Sequence, residues 1–271
     1  MTVTFSTCWY SFKNKYSNGD YEKWIHNMLT NVKNYNLVIY SDENSSEILK
    51  PYLQNPRIKL VLKPVEDFYG YKYKEYWEKN HMMNPHLTSY GVVWQVNMLW
   101  SEKIHFVKQS AEKKYFESDW YGWCDIGYFR ARSYLDLQMD QLEEWPNPEK
   151  LSNLDTNKIH YGRPALETQE LVKLWSIIRD KNNIGLPKVQ IPPDQVSIAG
   201  GFFILHKNKI DWWRKTFDAK LRLYFENNYL VKDDQMIIAD CIFSDDGGNF
   251  WLHCENKPSL DNWFMFQRLL L

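Results

Sequence analysis

The chain has almost no net charge. Its 271 residues include 33 lysines and arginines against 34 aspartates and glutamates, which leaves −1. A broad nucleic-acid surface needs a strong positive excess, so this balance argues against nucleic acid as a partner. Apolar residues make up 44% of the chain and charged residues 25%, as in an ordinary globular protein. This composition excludes an intrinsically disordered chain, a collagen and a coiled-coil rod.

Cysteine is scarce, and no long apolar run is present. The cysteines at 8, 124, 241 and 254 form no C-x-x-C pair, which argues against a zinc ribbon or a thioredoxin-type motif. The first residues lack the basic and apolar segments of a secretory signal. The uncharged stretch that includes residues 84–101 contains asparagine, proline, histidine and glutamine, which do not suit a membrane span. We therefore expect a cytoplasmic protein with reduced thiols and no transmembrane segment; peripheral contact with a membrane stays open.

Predicted strands alternate with predicted helices along the chain. Short β-rich runs at Val3–Trp9, Leu37–Tyr40 and Ile58–Leu62 are separated by stretches with apolar residues every three or four positions. Such alternation is typical of βαβ units and a largely parallel sheet. The length allows one large domain or two small ones, but no linker or internal repeat divides the chain. The predicted fold class is α/β, a single domain over residues 1–271 with a mainly parallel central sheet flanked by helices.

The middle of the chain has a less regular pattern. Residues 65–86 are rich in Tyr, Lys, Glu and Trp without a clean period, and they predict an irregular lid or insertion. One long helix is expected after them, with Val93, Val96 and Val107 on one side. Residues 140–165, which contain three prolines, are expected to be mostly loop.

An aspartate stands at the end of a predicted strand in the run Trp123-Cys-Asp125-Ile-Gly127-Tyr-Phe-Arg130. In open α/β sheets, ligands bind outside the carboxyl ends of the strands. A carboxylate there can hold a hard divalent cation, which in turn binds diphosphate oxygens. Gly127 would let the backbone approach a ligand closely. The alternative is a strand-end aspartate that only caps a turn.

Two further pairs of residues could face a ligand. Gly200 and Gly201 open an apolar strand, which indicates either close backbone contact or a simple turn or bulge. Asp233 and Asp234 begin a predicted helix. They either complement the helix dipole or supply a carboxylate that positions or deprotonates an acceptor hydroxyl.

The last candidate binding residues along the chain are a histidine and a lysine. His253 ends the last predicted strand and could complete a metal site with Asp125, or it could be structural. Lys257 could meet a phosphate group as a point charge. No G-x-x-x-x-G-K-[ST] loop is present, which weakens a nucleotidyltransferase or a kinase as an alternative.

The order of these motifs resembles the GT-A class of nucleotide-sugar glycosyltransferases. In that class a D-x-D or shortened D-x-G motif holds Mn²⁺ and the donor diphosphate. The chain is most similar to the HtrL/YibB family over roughly residues 2–258. The similarity rests on Trp100-Ser-Glu-Lys103, Ala111, the run from Trp123 to Arg130, Ala199-Gly-Gly-Phe202 and Asp234-Gln235.

The resemblance implies roles for particular residues. Metal binding falls to Asp125 and His253, and catalysis on the acceptor side to Asp234 or Asp233. The remaining positions would bind the donor or border the sugar and acceptor: Thr7, Cys8, Trp9, Tyr10, Asp42, Lys103, Gly127, Gly200, Gly201 and Lys257. Lys103 would approach the diphosphate. The second acid of D-x-D is Gly127 here, so the metal loses one ligand or uses water instead.

The resulting hypothesis is a glycosyltransferase dependent on Mn²⁺ or Mg²⁺. It would move a sugar from a UDP- or GDP-sugar to a hydroxyl of a glycan or glycoconjugate. The N-terminal half would bind the donor nucleotide and the C-terminal half the acceptor. Tryptophan and tyrosine suit sugar faces, and Trp9, Trp77, Trp120, Trp123 and Trp251 are expected near the ligand, with Trp24, Trp175 and Trp213 in the core. The alternative is a non-catalytic carbohydrate- or nucleotide-binding protein with the same fold.

Overall fold

One seven-stranded sheet runs through the molecule. The computed structural model describes residues 2–12, 16–130, 138–164, 168–255, 257 and 259–271, and the sheet is a property of those residues. Its strands are β1 (Val3–Trp9), β2 (Asn36–Ser41), β3 (Ile58–Leu62), β4 (Trp120–Cys124), β5 (Ile159–Gly162), β6 (Ala199–His206) and β7 (Phe250–His253).

The strand order is β3-β2-β1-β4-β6-β5-β7. Strand β6 runs antiparallel to its neighbours β4 and β5, while the remaining neighbours pair in parallel. The start of β6 therefore lies at the same sheet edge as the carboxyl ends of β1 and β4. This reversal brings Gly201 beside Asp125, whose backbone N–H donates to the Gly201 carbonyl at 2.8 Å.

Helices cover both faces of the sheet. They are α1 (Asn18–Thr30), α2 (Lys74–Met82), α3 (Pro85–Ser89), α4 (Trp94–Ser101), α5 (Lys103–Glu112), α6 (Pro148–Ser152), α7 (Thr168–Arg179), α8 (Ile210–Glu226), α9 (Asp234–Phe243) and α10 (Met265–Leu269). Side chains alternate along the strands, so one core forms under α5, α8 and α9 and another under α1 and α10. None of the helices in the described ranges has the length and apolar character needed to cross a membrane.

The long helix expected near Val96 is interrupted at Glu102, between α4 and α5. The buried Glu102 carboxylate accepts backbone N–H groups of Tyr69 at 2.6 Å and Gly70 at 2.9 Å. Residues 65–86, for which an irregular lid or insertion was predicted, include the helix α2 and pack against the rest of the chain. Trp77 on α2 is buried, packs against Phe225 and donates to the Gly70 carbonyl. The Glu102 carboxylate thus anchors the turn at Tyr69 and Gly70, and Trp77 anchors α2 to the core.

Residues 140–165 contain more structure than the prolines indicated. They include α6 and the four-residue strand β5, which lies between β6 and β7. A strand this short has too little alternation to stand out in sequence, and its neighbours in the sheet supply its hydrogen bonds.

Candidate active site

A cleft of about 380 Å³ lies where β1 and β4 end and β6 begins. This is the sheet edge at which ligands bind in open α/β folds, and the volume suits a small ligand. Most of the residues singled out from the sequence line it: Cys8, Trp9, Tyr10, Lys103, Asp125, Gly127, Gly200, Gly201, Asp233 and Asp234.

Lys103 joins two of the predicted carboxylates. Its ammonium Nζ lies 3.0 Å from Asp234 Oδ2 and 3.5 Å from Asp125 Oδ1, and it donates to the Gly200 carbonyl at 2.7 Å. Side chains from α5, α9 and the end of β4 thus meet around one cation. Lys103 also lines the cleft, and its expected approach to a diphosphate stays a prediction.

Burial and charge set the protonation of this cluster. Burial alone would lower the pKa of the Lys103 ammonium, but the carboxylates of Asp125 and Asp234 outweigh it and raise that pKa above its ordinary value. Burial raises the pKa of Asp234 to about 6, against the opposing effect of Lys103. Asp234 therefore changes its charge just below neutral pH.

The two cluster carboxylates differ in their access to the cleft. The Asp125 side chain is 45% exposed, whereas that of Asp234 is only 3% exposed. Asp125 Oδ1 also accepts the indole N–H of Trp123 at 2.5 Å. Asp125 therefore presents its carboxylate to a ligand, and Asp234 forms the deeper wall.

Asp233 is tied to the start of α9. Its Oδ1 accepts the backbone N–H of Met236 at 3.1 Å, and its Oδ2 lies 3.0 Å from the Lys232 ammonium. This is an N-cap with an ion pair. Of the two neighbouring acids, Asp234 alone contacts Lys103 within the described chain.

The glycine pair packs closely against the acids. A Cβ on Gly200 would lie 2.8 Å from Gln235 Cγ, and one on Gly201 would lie 3.1 Å from Asp125 Oδ2. Both glycines also line the cleft. Their small size lets β6 approach Asp125 and the start of α9, so the prediction of close backbone contact is met by protein groups.

Four predicted site residues are not among those that line the cleft. Thr7 is buried in β1, and the Asp42 carboxylate accepts the backbone N–H of Ser45 at 2.7 Å. Lys257 is exposed beyond β7. His253 ends β7, and its ring nitrogen lies 2.9 Å from a ring nitrogen of His160.

Comparison with known proteins supports the fold at low sequence identity. The structure is similar to mouse xyloside xylosyltransferase 1 in its apo form, with a TM-score of 0.50 and 12% identity, over 94% of this chain and 85% of that one. The galactosyltransferase LgtC, solved with donor and acceptor sugar analogs, gives a TM-score of 0.47 and 12% identity, over 93% of this chain and 73% of that one. No protein-family model and no curated sequence matches the chain. The predicted GT-A-like α/β fold is confirmed.

The described residues do not fit the metal site that the resemblance implies. His253 lies three strand spacings from Asp125, on the order of 14 Å, with β6 and β5 between the two residues. A second acid at position 127 has no room, because a Cβ on Gly127 would lie 2.9 Å from Trp24 Cε3. Within the described ranges no three His, Cys, Asp or Glu side chains gather as metal ligands.

Sequence reasoning missed part of the cleft wall. Tyr16, Tyr21, Trp100, Arg130, Gln235, Trp263 and Phe264 also line it. Trp100, Arg130 and Gln235 stand inside the motifs that carry the family resemblance. The aromatic residues of α1 lie on one stripe of that helix, so the sequence held a signal for these residues. The segment around Trp263 and Phe264 is brought to the cleft only by tertiary packing.

The predicted positions of the tryptophans agree with the structure for some residues and not for others. Trp9 and Trp123 line the cleft, whereas Trp77 and Trp120 are buried in the core and Trp251 is exposed on β7. Trp213 is buried as expected, but Trp175 is exposed and Trp24 is only partly buried. Helical periodicity located the stripes but not which face stays open.

Proposed function

We propose that the protein is a glycosyltransferase that uses a nucleoside-diphosphate sugar, a UDP- or GDP-sugar, and a hydroxyl acceptor on a glycan or glycoconjugate. The observation that carries the proposal is the Asp125–Lys103–Asp234 cluster at the sheet edge where ligands bind in this fold. Membership of the HtrL/YibB family is part of the same proposal. Fold alone does not establish an activity, so the chemistry of the cleft has to support it.

The reaction assigns one task to each carboxylate. The bond between the anomeric carbon and the diphosphate oxygen breaks, and its electron pair leaves with the diphosphate. The acceptor oxygen bonds to the anomeric carbon, and the hydroxyl proton passes to Asp234. Asp125 is the exposed carboxylate and would contact the sugar or acceptor. Lys103 holds both acids in place, and the aromatic walls would pack against the sugar and the base.

Release of nucleoside diphosphate tests this function. Candidate sugars are first selected by thermal shift, and turnover is then measured for each UDP- and GDP-sugar with and without an added acceptor. Each assay is run with Mn²⁺, with Mg²⁺ and with chelator, because the predicted metal requirement is a separate question from the activity. Binding of a sugar nucleotide without hydrolysis or transfer would instead identify a carbohydrate- or nucleotide-binding protein.

The rate should depend on pH through Asp234. Because burial raises the pKa of Asp234 to about 6, the carboxylate is ionised above that pH and protonated below it. A base must be unprotonated, so kcat/KM should rise with pH through about 6 and then level off. A pH–rate profile measured between pH 5 and 8 checks this, and a rate that stays constant down to pH 5 would contradict it.

A further inference from the structure

Arg130 is a second cation in the cleft, and aromatic rings hold it. Its guanidinium carbon lies 4.3 Å from the ring centre of Trp24 and 5.2 Å from those of Tyr16 and Phe264. Tyr16 and Trp24 lie before and within α1, and Phe264 lies near the other end of the sequence. Stacking of this kind fixes the plane of a guanidinium without using its N–H donors.

The donors of Arg130 have no acid to bind in the described chain. No described carboxylate forms an ion pair with it, and its buried Nε has no hydrogen-bond partner. Lys103, the other lysine or arginine among the described residues of the cleft wall, is already held by two carboxylates and the Gly200 carbonyl. Among the described residues that line the cleft, Arg130 is therefore the cation without an acidic partner, and it is placed to meet an anionic ligand.

We propose that Arg130 binds the diphosphate of the donor, the role that the sequence resemblance gave to Lys103. The inference rests on the proposed function and deepens it. A guanidinium presents paired N–H donors that match phosphate oxygens, and an arginine stacked on aromatic rings is already oriented for such a contact. Its charge would also oppose the negative charge that grows on the leaving diphosphate.

Gly127 belongs to this arrangement. A Cβ on Gly127 would lie 2.9 Å from Trp24 Cε3 and 3.3 Å from Arg130 Nη1. The missing side chain therefore lets Trp24 and Arg130 stack beside the strand end. The glycine in the second acid position of the motif makes room for an arginine stack instead of a metal ligand. Gly127→Ala should disturb the stack and weaken the same ligand contact.

The test is a calorimetric titration of the full chain in chelator and, in parallel, in Mn²⁺. The probes are UDP, GDP, inorganic pyrophosphate, uridine and guanosine. Arg130→Gln should weaken binding of the better nucleoside diphosphate by about 10- to 100-fold and leave nucleoside binding unchanged. Arg130→Lys should recover only part of the loss, because it keeps the charge but not the paired donors. Arg222→Gln, on the exposed face of α8, is the matched control and should change nothing.

Each outcome separates the two proposals. If the wild type binds UDP or GDP and Arg130→Gln binds it equally well, the role of Arg130 is overturned and the proposed function stands. If the wild type binds neither nucleotide in either buffer, the proposed function is overturned, and the role of Arg130 is overturned with it. An equal loss of nucleoside and nucleotide binding would make Arg130 a structural part of the wall and overturn the inference. Pyrophosphate bound as tightly as the nucleotide would also overturn the inference. The cleft would then recognise an inorganic diphosphate without the nucleoside, and not the donor. Melting temperatures of all variants, with Arg130→Lys as the milder change, identify any loss caused by misfolding.

Discussion

Asp234→Asn is expected to lower turnover by about 10²–10⁴-fold while affinity for the nucleoside diphosphate stays nearly unchanged. Asparagine keeps the shape of the side chain but cannot take the acceptor proton. Lys103 retains Asp125 and the Gly200 carbonyl as partners, so the cleft should keep its form. The measurements are single-turnover rate for the chemical step and calorimetry for donor binding.

Asp233→Asn is the matched control for this change. It removes the same charge from the adjacent residue, and asparagine is as good an N-cap as aspartate. The buried Lys232 ammonium loses its counter-ion, so stability is measured beside activity. Activity should therefore remain close to that of the wild type. If Asp233→Asn is inactive and Asp234→Asn active, the base is the other carboxylate. If both remain active, Asp234 is only a counter-ion for Lys103.

Lys103→Met is expected to cost about 3–5 kcal/mol of unfolding free energy at neutral pH and to abolish activity. Methionine fills a similar volume, but it leaves the deeply buried Asp234 without the ammonium that lies 3.0 Å away in the wild type. The pKa of Asp234 should then rise above about 6, because Lys103 lowers it in the native protein. The base would be protonated at neutral pH. Urea denaturation monitored by circular dichroism measures the stability change.

The loss of unfolding free energy in Lys103→Met should depend on pH, because it depends on the charge of Asp234. Asp234 is ionised in the wild type above about pH 6 and neutral below it. The stability difference between wild type and Lys103→Met should therefore be large at pH 7.5 and smaller at pH 5. Lys108→Met, on the same helix α5, removes partly exposed ion pairs with Glu112 and Asp211 and should cost at most about 1 kcal/mol. Equal losses for the two lysines would contradict a special role for Lys103.

The sequence alone predicted the α/β class because that class rests on local patterns. Short apolar runs alternate with amphipathic stretches, and each pattern lies within a few neighbouring residues. The same reasoning located Asp125, Gly200, Gly201 and Asp234, since residues at strand ends and helix starts are recognisable from their position. Strand β5 and the break at Glu102 were missed, because their hydrogen bonds come from residues distant in sequence.

Only the tertiary structure decided how the candidate site is assembled. The sheet order separates His253 from Asp125 by two strands, although both stand at the end of a strand in sequence. The reversal of β6 brings Gly200 and Gly201 to the acids. The close approach of Trp24 to Gly127 leaves no room for a second carboxylate and stacks Arg130 in the cleft instead. Charge pairing across three elements holds Lys103, whereas no carboxylate of the described residues pairs with Arg130. No local pattern could distinguish the two cations, because pairing depends on distances in the folded chain.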